Sequence, residues 1–201
     1  MLPKLIFAAA IIFILISTIL FYPKHKNIVN DTNPIVFFGN SITAGQGAGV
    51  GEDFPSLVGK ALNVPIVNSG VSGITTREAL LRIDKDVLRK NPSIVVVELG
   101  GNDLLQLVDI NVTIRNYDSI LSKIKPTGAK IVILEVKLIL FDKKYETDLQ
   151  SVAKKYNATY VPDILEGVIT DESLKFDDIH PNAKGYQKIA EKLIPIIKNL
   201  I

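Results

Sequence analysis

Apolar runs and amphipathic stretches alternate along most of this chain, and the alternation predicts the fold. Ile35–Phe38, Ser93–Leu99 and Lys130–Glu135 are short and almost wholly apolar, as strands covered on both faces must be. Pro65–Val67 and Thr159–Val161 are shorter runs in the same rhythm. Helical patterns lie between them. Phe54–Leu62 predicts one helix. A capping box at Thr75-Thr76-Arg77-Glu78 opens the next, and Ala79, Leu80, Ile83 and Val87 repeat on one of its faces up to about Lys90, where Asn91-Pro92 stops it. Helices are expected over about Val112–Lys125 and Lys143–Asn157. The last starts near Asn182 and shows Tyr186, Ile189, Ala190, Leu193, Ile194 and Ile197 on its apolar side. Pro195 lies within it and is expected to kink or shorten it. Strands and helices in this order predict an α/β fold, a three-layer α/β/α arrangement around a parallel sheet of about five strands.

One apolar stretch has a different period. Leu5 to Tyr22 runs 18 residues without a charge, just long enough to span a bilayer as a helix. Ala8-Ala9-Ala10 comes too early for a signal-peptide cleavage site, and Ile19-Leu20-Phe21-Tyr22-Pro23 is a poor one. An uncleaved anchor over residues 1–26 is therefore expected, with secretion or a periplasmic location following if the segment is cleaved. Lys4 stands before it and Lys24, His25 and Lys26 after it, so charge does not select an outside catalytic domain and leans slightly the other way. Residues 27–34 read as a tether, and 35–201 as the folded domain.

Composition narrows the chemistry. The 201-residue chain has no cysteine and two histidines, His25 and His180, which excludes disulfides, thiolate metal sites, cysteine nucleophiles and a three-histidine metal site. The sequence pI is about 8.6. Removing Lys4, Lys24 and Lys26 from the 23 basic residues leaves 20 against 21 acids, a net charge of −1. A near-neutral domain has no electrostatic footprint for nucleic acid. Gly45, Gly47, Gly49 and Gly51 do not form a nucleotide loop: the third position of G-x-G-x-x-G is Val50 or Glu52, and Gly59-Lys60 lacks the P-loop's preceding glycine and following hydroxyl. They are read as turn glycines near a site.

Polar groups gather just past the strand ends: Ser41, Asn68 to Gly73, Asn102, and Asp177 with His180 before the last helix. In a parallel sheet these positions converge on the C-terminal edge, where α/β sheets bind ligands. A serine hydroxyl needs a neighbouring base to become a nucleophile. His180 is the plausible base, since His25 flanks the apolar segment. Asp177, three residues earlier, can orient the imidazole. An attacked carbonyl needs donors for its developing charge, and the N–H groups of Ser41 and Gly73 and the Asn102 side-chain amide are suitable.

These residues resemble the SGNH, or GDSL-like, serine hydrolases. Gly39-Asn40-Ser41 matches the nucleophile block, Asn68 through Gly73 the glycine block, Gly100-Gly101-Asn102-Asp103 the asparagine block, and Asp177-Asp178-Ile179-His180-Pro181-Asn182 the D-x-x-H block. The resemblance covers roughly residues 35–199, and Val97 to Asp103 looks most like the acyl-thioesterase, lysophospholipase and arylesterase branch. It implies a flavodoxin-like sheet, a Ser41–Asp177–His180 triad, Gly73 and Asn102 in the oxyanion hole, and no cofactor. The family's usual Gly-Asp-Ser is Gly-Asn-Ser here. Asparagine keeps the size and an acceptor oxygen, so activity is expected to survive.

Plainer roles compete with these. A serine or asparagine after a strand can simply cap a helix. Asp103 is read as the cap of its own helix or a sheet-edge partner, and Asp178 as solvated. Ser72 lacks the last glycine of a G-x-S-x-G elbow. Lys137–Phe141 is read equally as an acyl-groove wall or as core. The sequence thus predicts a membrane-tethered serine esterase acting on acyl esters or thioesters, lysophospholipids included. A carbohydrate O-deacetylase is the alternative within hydrolases, and a catalytically silent binding module the alternative of another class. A metal-dependent hydrolase would differ by losing activity to a chelator. The sequence gives no oligomeric state.

Overall fold

The computed structural model describes residues 33–137 and 143–201. The apolar segment at residues 5–22 and its flank lie outside the described residues, as do residues 138–141 of the stretch read as groove wall or core. Among the described residues no helix is long and apolar enough to cross a membrane.

Five strands, β1 (Ile35–Gly39), β2 (Ile66–Asn68), β3 (Ile94–Glu98), β4 (Lys130–Leu134) and β5 (Thr159–Val161), form one parallel sheet in the order β2-β1-β3-β4-β5. This is the flavodoxin-like order. The chain leaves β1 for β2 on one side and β3 on the other, which opens a crevice beyond the end of β1. Every residue of β1 and β3 is buried. Alternate side chains feed two cores: Ile35, Phe37, Ile94 and Val96 on one face, Val36, Phe38, Val95 and Val97 on the other.

Two helices cover the first face, α2 (Phe54–Leu62) and α7 (Ala183–Lys198). Three cover the second, α3 (Thr76–Asp86), α5 (Ile110–Ile124) and α6 (Lys143–Tyr156). The capping box on α3 forms as predicted, Thr75 and Glu78 each bonding the other's backbone N–H. Aromatic packing ties the first face to the middle of β1. Phe54 meets Phe37 edge-on at 5.7 Å and stacks with Tyr186 at 6.4 Å.

The structure departs from the sequence reading in three places. The apolar face up to Lys90 is not one helix: α3 stops at Asp86, and a 3-10 turn, Leu88–Lys90, follows. Two short helices, α1 (Ser41–Ala44) and α4 (Gly101–Leu105), follow β1 and β3 where the apolar pattern placed none. Pro195 does not shorten α7, which continues to Lys198. The proline removes a donor to the Glu191 carbonyl, yet both residues are exposed, so water can satisfy that carbonyl.

Candidate active site

Strand β1 ends in a tight turn that makes Ser41 the first residue of α1. Asn40 caps this helix, its Oδ1 accepting from the Ile42 N–H at 2.8 Å. The first N–H groups of a helix have no partner within it, and among the described residues the Ser41 N–H donates to no protein group. Ser41 is buried but for its outer edge.

His180 arrives from the other end of the domain. Asn182 caps α7 through the Lys184 and Gly185 N–H groups, and its amide donates to the Ser173 and Lys175 carbonyls. That cap pins the loop carrying His180. Gly47, at φ 95, lets the loop after α1 pack onto it: a Cβ there would lie 2.5 Å from the Pro181 carbonyl oxygen. The Tyr186 hydroxyl adds a third tie, donating to the Gln46 carbonyl at 2.8 Å.

The result is a chain of hydrogen bonds. His180 Nε2 lies 2.8 Å from Ser41 Oγ, and His180 Nδ1 lies 2.8 Å from Asp177 Oδ2. With Asp177 accepting a hydrogen bond from Nδ1–H, Nε2 is left as an acceptor facing the serine hydroxyl. Partial burial works against the charge on Asp177, but the Ile179 N–H and the ring and N–H of His180 outweigh it and hold the carboxyl below its usual value. His180 is buried.

Residues from the other strand ends lie on the same edge of the sheet. Asn68, closing β2, donates to the Thr43 carbonyl at 2.8 Å and accepts from the Gly70 N–H at 3.0 Å, which fastens the glycine block to α1. Gly73 has φ 78, a conformation that favours glycine, and among the described residues its N–H has no partner. Asn102, within α4, spends one amide hydrogen on the Ile74 carbonyl at 3.0 Å and keeps a second. Gln46 lies 3.4 Å from His180 Nδ1 and accepts from Ser72 Oγ at 3.1 Å. Nothing in the sequence beyond its place among the loop glycines marked it.

Asp103 is not the cap of its own helix, which begins at Gly100 without a side-chain cap. It is buried and accepts from Thr76 N–H at 2.8 Å and from the hydroxyls of Thr76 and Thr113. It therefore joins α4 to the start of α3. Asp178 is exposed, as expected.

Glu98 was the residue the sequence reading passed over. It closes β3, is wholly buried, and accepts from Asn40 Nδ2 at 2.7 Å and Thr43 Oγ1 at 2.8 Å. Burial pushes its carboxyl up to about 7, against the opposing pull of those bonds. A lone carboxylate in the run Ile94–Leu99 was the available signal, since a buried charge needs partners.

Among the described residues, six of the eight exposed large apolar side chains sit on this edge, Leu105 at the end of α4 and Val50, Val71, Leu107, Phe176 and Ile179 in loops. Leu107 adopts φ 57, rare for a leucine. Two concavities lie elsewhere, one at the opposite strand edge around Lys130 and Tyr156, the other between α2 and α7.

A parallel sheet between two helical layers carries Ser41, His180 and Asp177 hydrogen-bonded in series at its C-terminal edge, the arrangement expected of a serine hydrolase of the α/β class. Residues 37–188 match the model of the GDSL-like Lipase/Acylhydrolase family, and the chain belongs to that family. An arylesterase of Vibrio mimicus is 29% identical over 168 residues, 78% of this chain and 84% of the relative. The thioesterase 1/protease 1/lysophospholipase L1 of Escherichia coli is 25% identical over 175 residues, 83% and 84% of the two chains. The crystal structure of TesA, 28% identical, superposes with a TM-score of 0.77 over 84% of this chain and 99% of its own.

Proposed function

We propose that the protein is a serine esterase that cleaves acyl esters and thioesters through an acyl-enzyme, with Ser41 as nucleophile. The observation that carries this reading is the 2.8 Å contact between Ser41 Oγ and His180 Nε2, backed by Asp177 on the far nitrogen. Ser41 Oγ bonds to the substrate's carbonyl carbon while its proton passes to His180 Nε2. Asp177 holds the ring and stabilises the imidazolium. The carbonyl oxygen, now negative, takes hydrogen bonds from the Ser41 and Gly73 N–H groups and the Asn102 amide, a contribution of roughly 3 kcal/mol per donor. His180 then protonates the departing alcohol or thiol. Water, deprotonated by His180, attacks the acyl-enzyme, releases the acid and restores the serine.

The apolar rim favours fatty-acyl substrates, lysophospholipids and acyl-thioesters among them, over acetylated sugars. The names of the Vibrio mimicus and Escherichia coli relatives agree with ester and thioester chemistry. The assay is a panel of aryl esters, acyl-thioesters, lysophospholipids and acetylated sugars, run on wild type and Ser41→Ala. Turnover of acyl substrates that vanishes in the variant supports the reading; equal turnover by both proteins contradicts it.

Residues 5–22 tether the domain to a membrane. The full chain then stays with membranes through alkaline carbonate extraction, whereas residues 27–201 are released. Release of both would remove the anchor from the account.

A further inference from the structure

We propose that Glu98 is a positioning residue for Ser41, and that it acts by accepting hydrogen bonds from both sides of the nucleophile's turn. The inference rests on the reading of Ser41 as nucleophile. Its basis is the polarity of one buried cluster. Glu98 Oε1 accepts from Asn40 Nδ2 at 2.7 Å, and Oε2 accepts from Thr43 Oγ1 at 2.8 Å and, more loosely, from the Asn40 N–H at 3.4 Å. Residue 40 precedes Ser41 and residue 43 follows it by two, so one carboxylate holds the turn before and after the serine. The register adds to this, because Gly39 lies opposite Glu98 across β1 and β3.

The direction of each bond is fixed. Asn40 Oδ1 is committed to the Ile42 N–H, so its amide cannot flip and must present Nδ2 to Glu98. The carboxylate meets donors only. An aspartate at position 40, as in the usual Gly-Asp-Ser block, would present an acceptor to an acceptor, and one of the two carboxyls would have to keep a proton. Behind burial, a charge on Glu98 is among the causes that raise the phenols of Tyr117, Tyr145 and Tyr186, from α5, α6 and α7, and what opposes burial at Glu98 itself is hydrogen bonds from Thr43 and Asn40.

Two substitutions and their combination test the polarity. In Glu98→Gln, either orientation of the new amide sets a donor against an Asn40 donor. In Asn40→Asp, the acceptor clash appears once both carboxyls ionise. In Asn40→Asp/Glu98→Gln the directions reverse together: the new amide donates to the new carboxylate, and its oxygen takes Thr43 and the residue 40 N–H. The readouts are kcat and KM for an aryl ester and the rate of fluorophosphonate labelling, each relative to wild type at the same pH. Near-UV circular dichroism gives the folded fraction. Glu98→Gln is expected to lose about ten-fold in kcat with KM within about two-fold. Asn40→Asp stays near wild type at about pH 6 and falls about ten-fold by about pH 9. The double variant recovers to within about three-fold of wild type across that range. Should either single variant fail to fold, the double must still fold and turn over. Wild-type kcat in Glu98→Gln, a double variant no better than the singles, or losses that follow only the unfolded fraction would overturn the proposal. Failure of the wild type itself to be labelled would instead remove Ser41 as nucleophile.

Discussion

Asn40 does two jobs that an aspartate could share only in part. Its oxygen caps α1, the role that any residue of that shape with an acceptor keeps, and its amide meets Glu98. The buried carboxyl itself carries a cost that depends on pH. Its value is raised from 4.5 to about 7 in the folded protein, so the native state binds the proton more tightly than the unfolded chain does. The group's contribution to stability is therefore full below about pH 4.5 and is lost as pH rises through about 7, a change of roughly 3 kcal/mol. Glu98→Gln cannot titrate. Urea unfolding at pH 5 and pH 8 should show wild-type stability falling relative to the variant by an amount of that order. A constant difference between the two proteins would mean that Glu98 does not carry the proton. None of this was legible in the sequence, where Glu98 stood out only as a charge in an apolar run and Asn40 only as a departure from a motif.

At the level of elements, the short helices are the parts that aim the site. Helix α1 spans four residues and α4 five, too short for a hydrophobic period to announce them. The longer helices were legible because each has an apolar face long enough to set its own period, and the strands because they are short apolar runs between turn residues. Ser41 and Asn102 sit on the short pair, so the sequence named the residues without the elements that hold them. Asp103 shows how one such element is fixed: its buried carboxylate satisfies the Thr76 N–H and hydroxyl at the start of α3. Asp103→Ala leaves those donors without a partner and should cost roughly 3 kcal/mol in urea unfolding. A loss of only a few tenths would show that α3 and α4 are held together by other contacts.

Across the whole molecule, convergence comes from the sheet order. Ser41 and His180 are 139 residues apart in sequence, and they meet because β1 lies inside the sheet and α7 packs beside α2 on its first face. The alternation of runs predicted the layers and the parallel sheet, but single-sequence patterns do not say which strand is central. The flavodoxin-like order came only with the resemblance, and the structure bears it out. The rim of exposed apolar side chains was likewise invisible in sequence, since Val50, Leu107 and Phe176 look like ordinary members of loops until the fold gathers them on one edge. The account as a whole rests on Ser41 being the atom donor that forms the acyl-enzyme. The direct measurement is to treat the folded domain with a fluorophosphonate and locate the adduct by peptide mass spectrometry. One adduct per chain on Ser41, absent in Ser41→Ala and slowed in His180→Ala, is the predicted result; no adduct, or an adduct on Ser72, would contradict it.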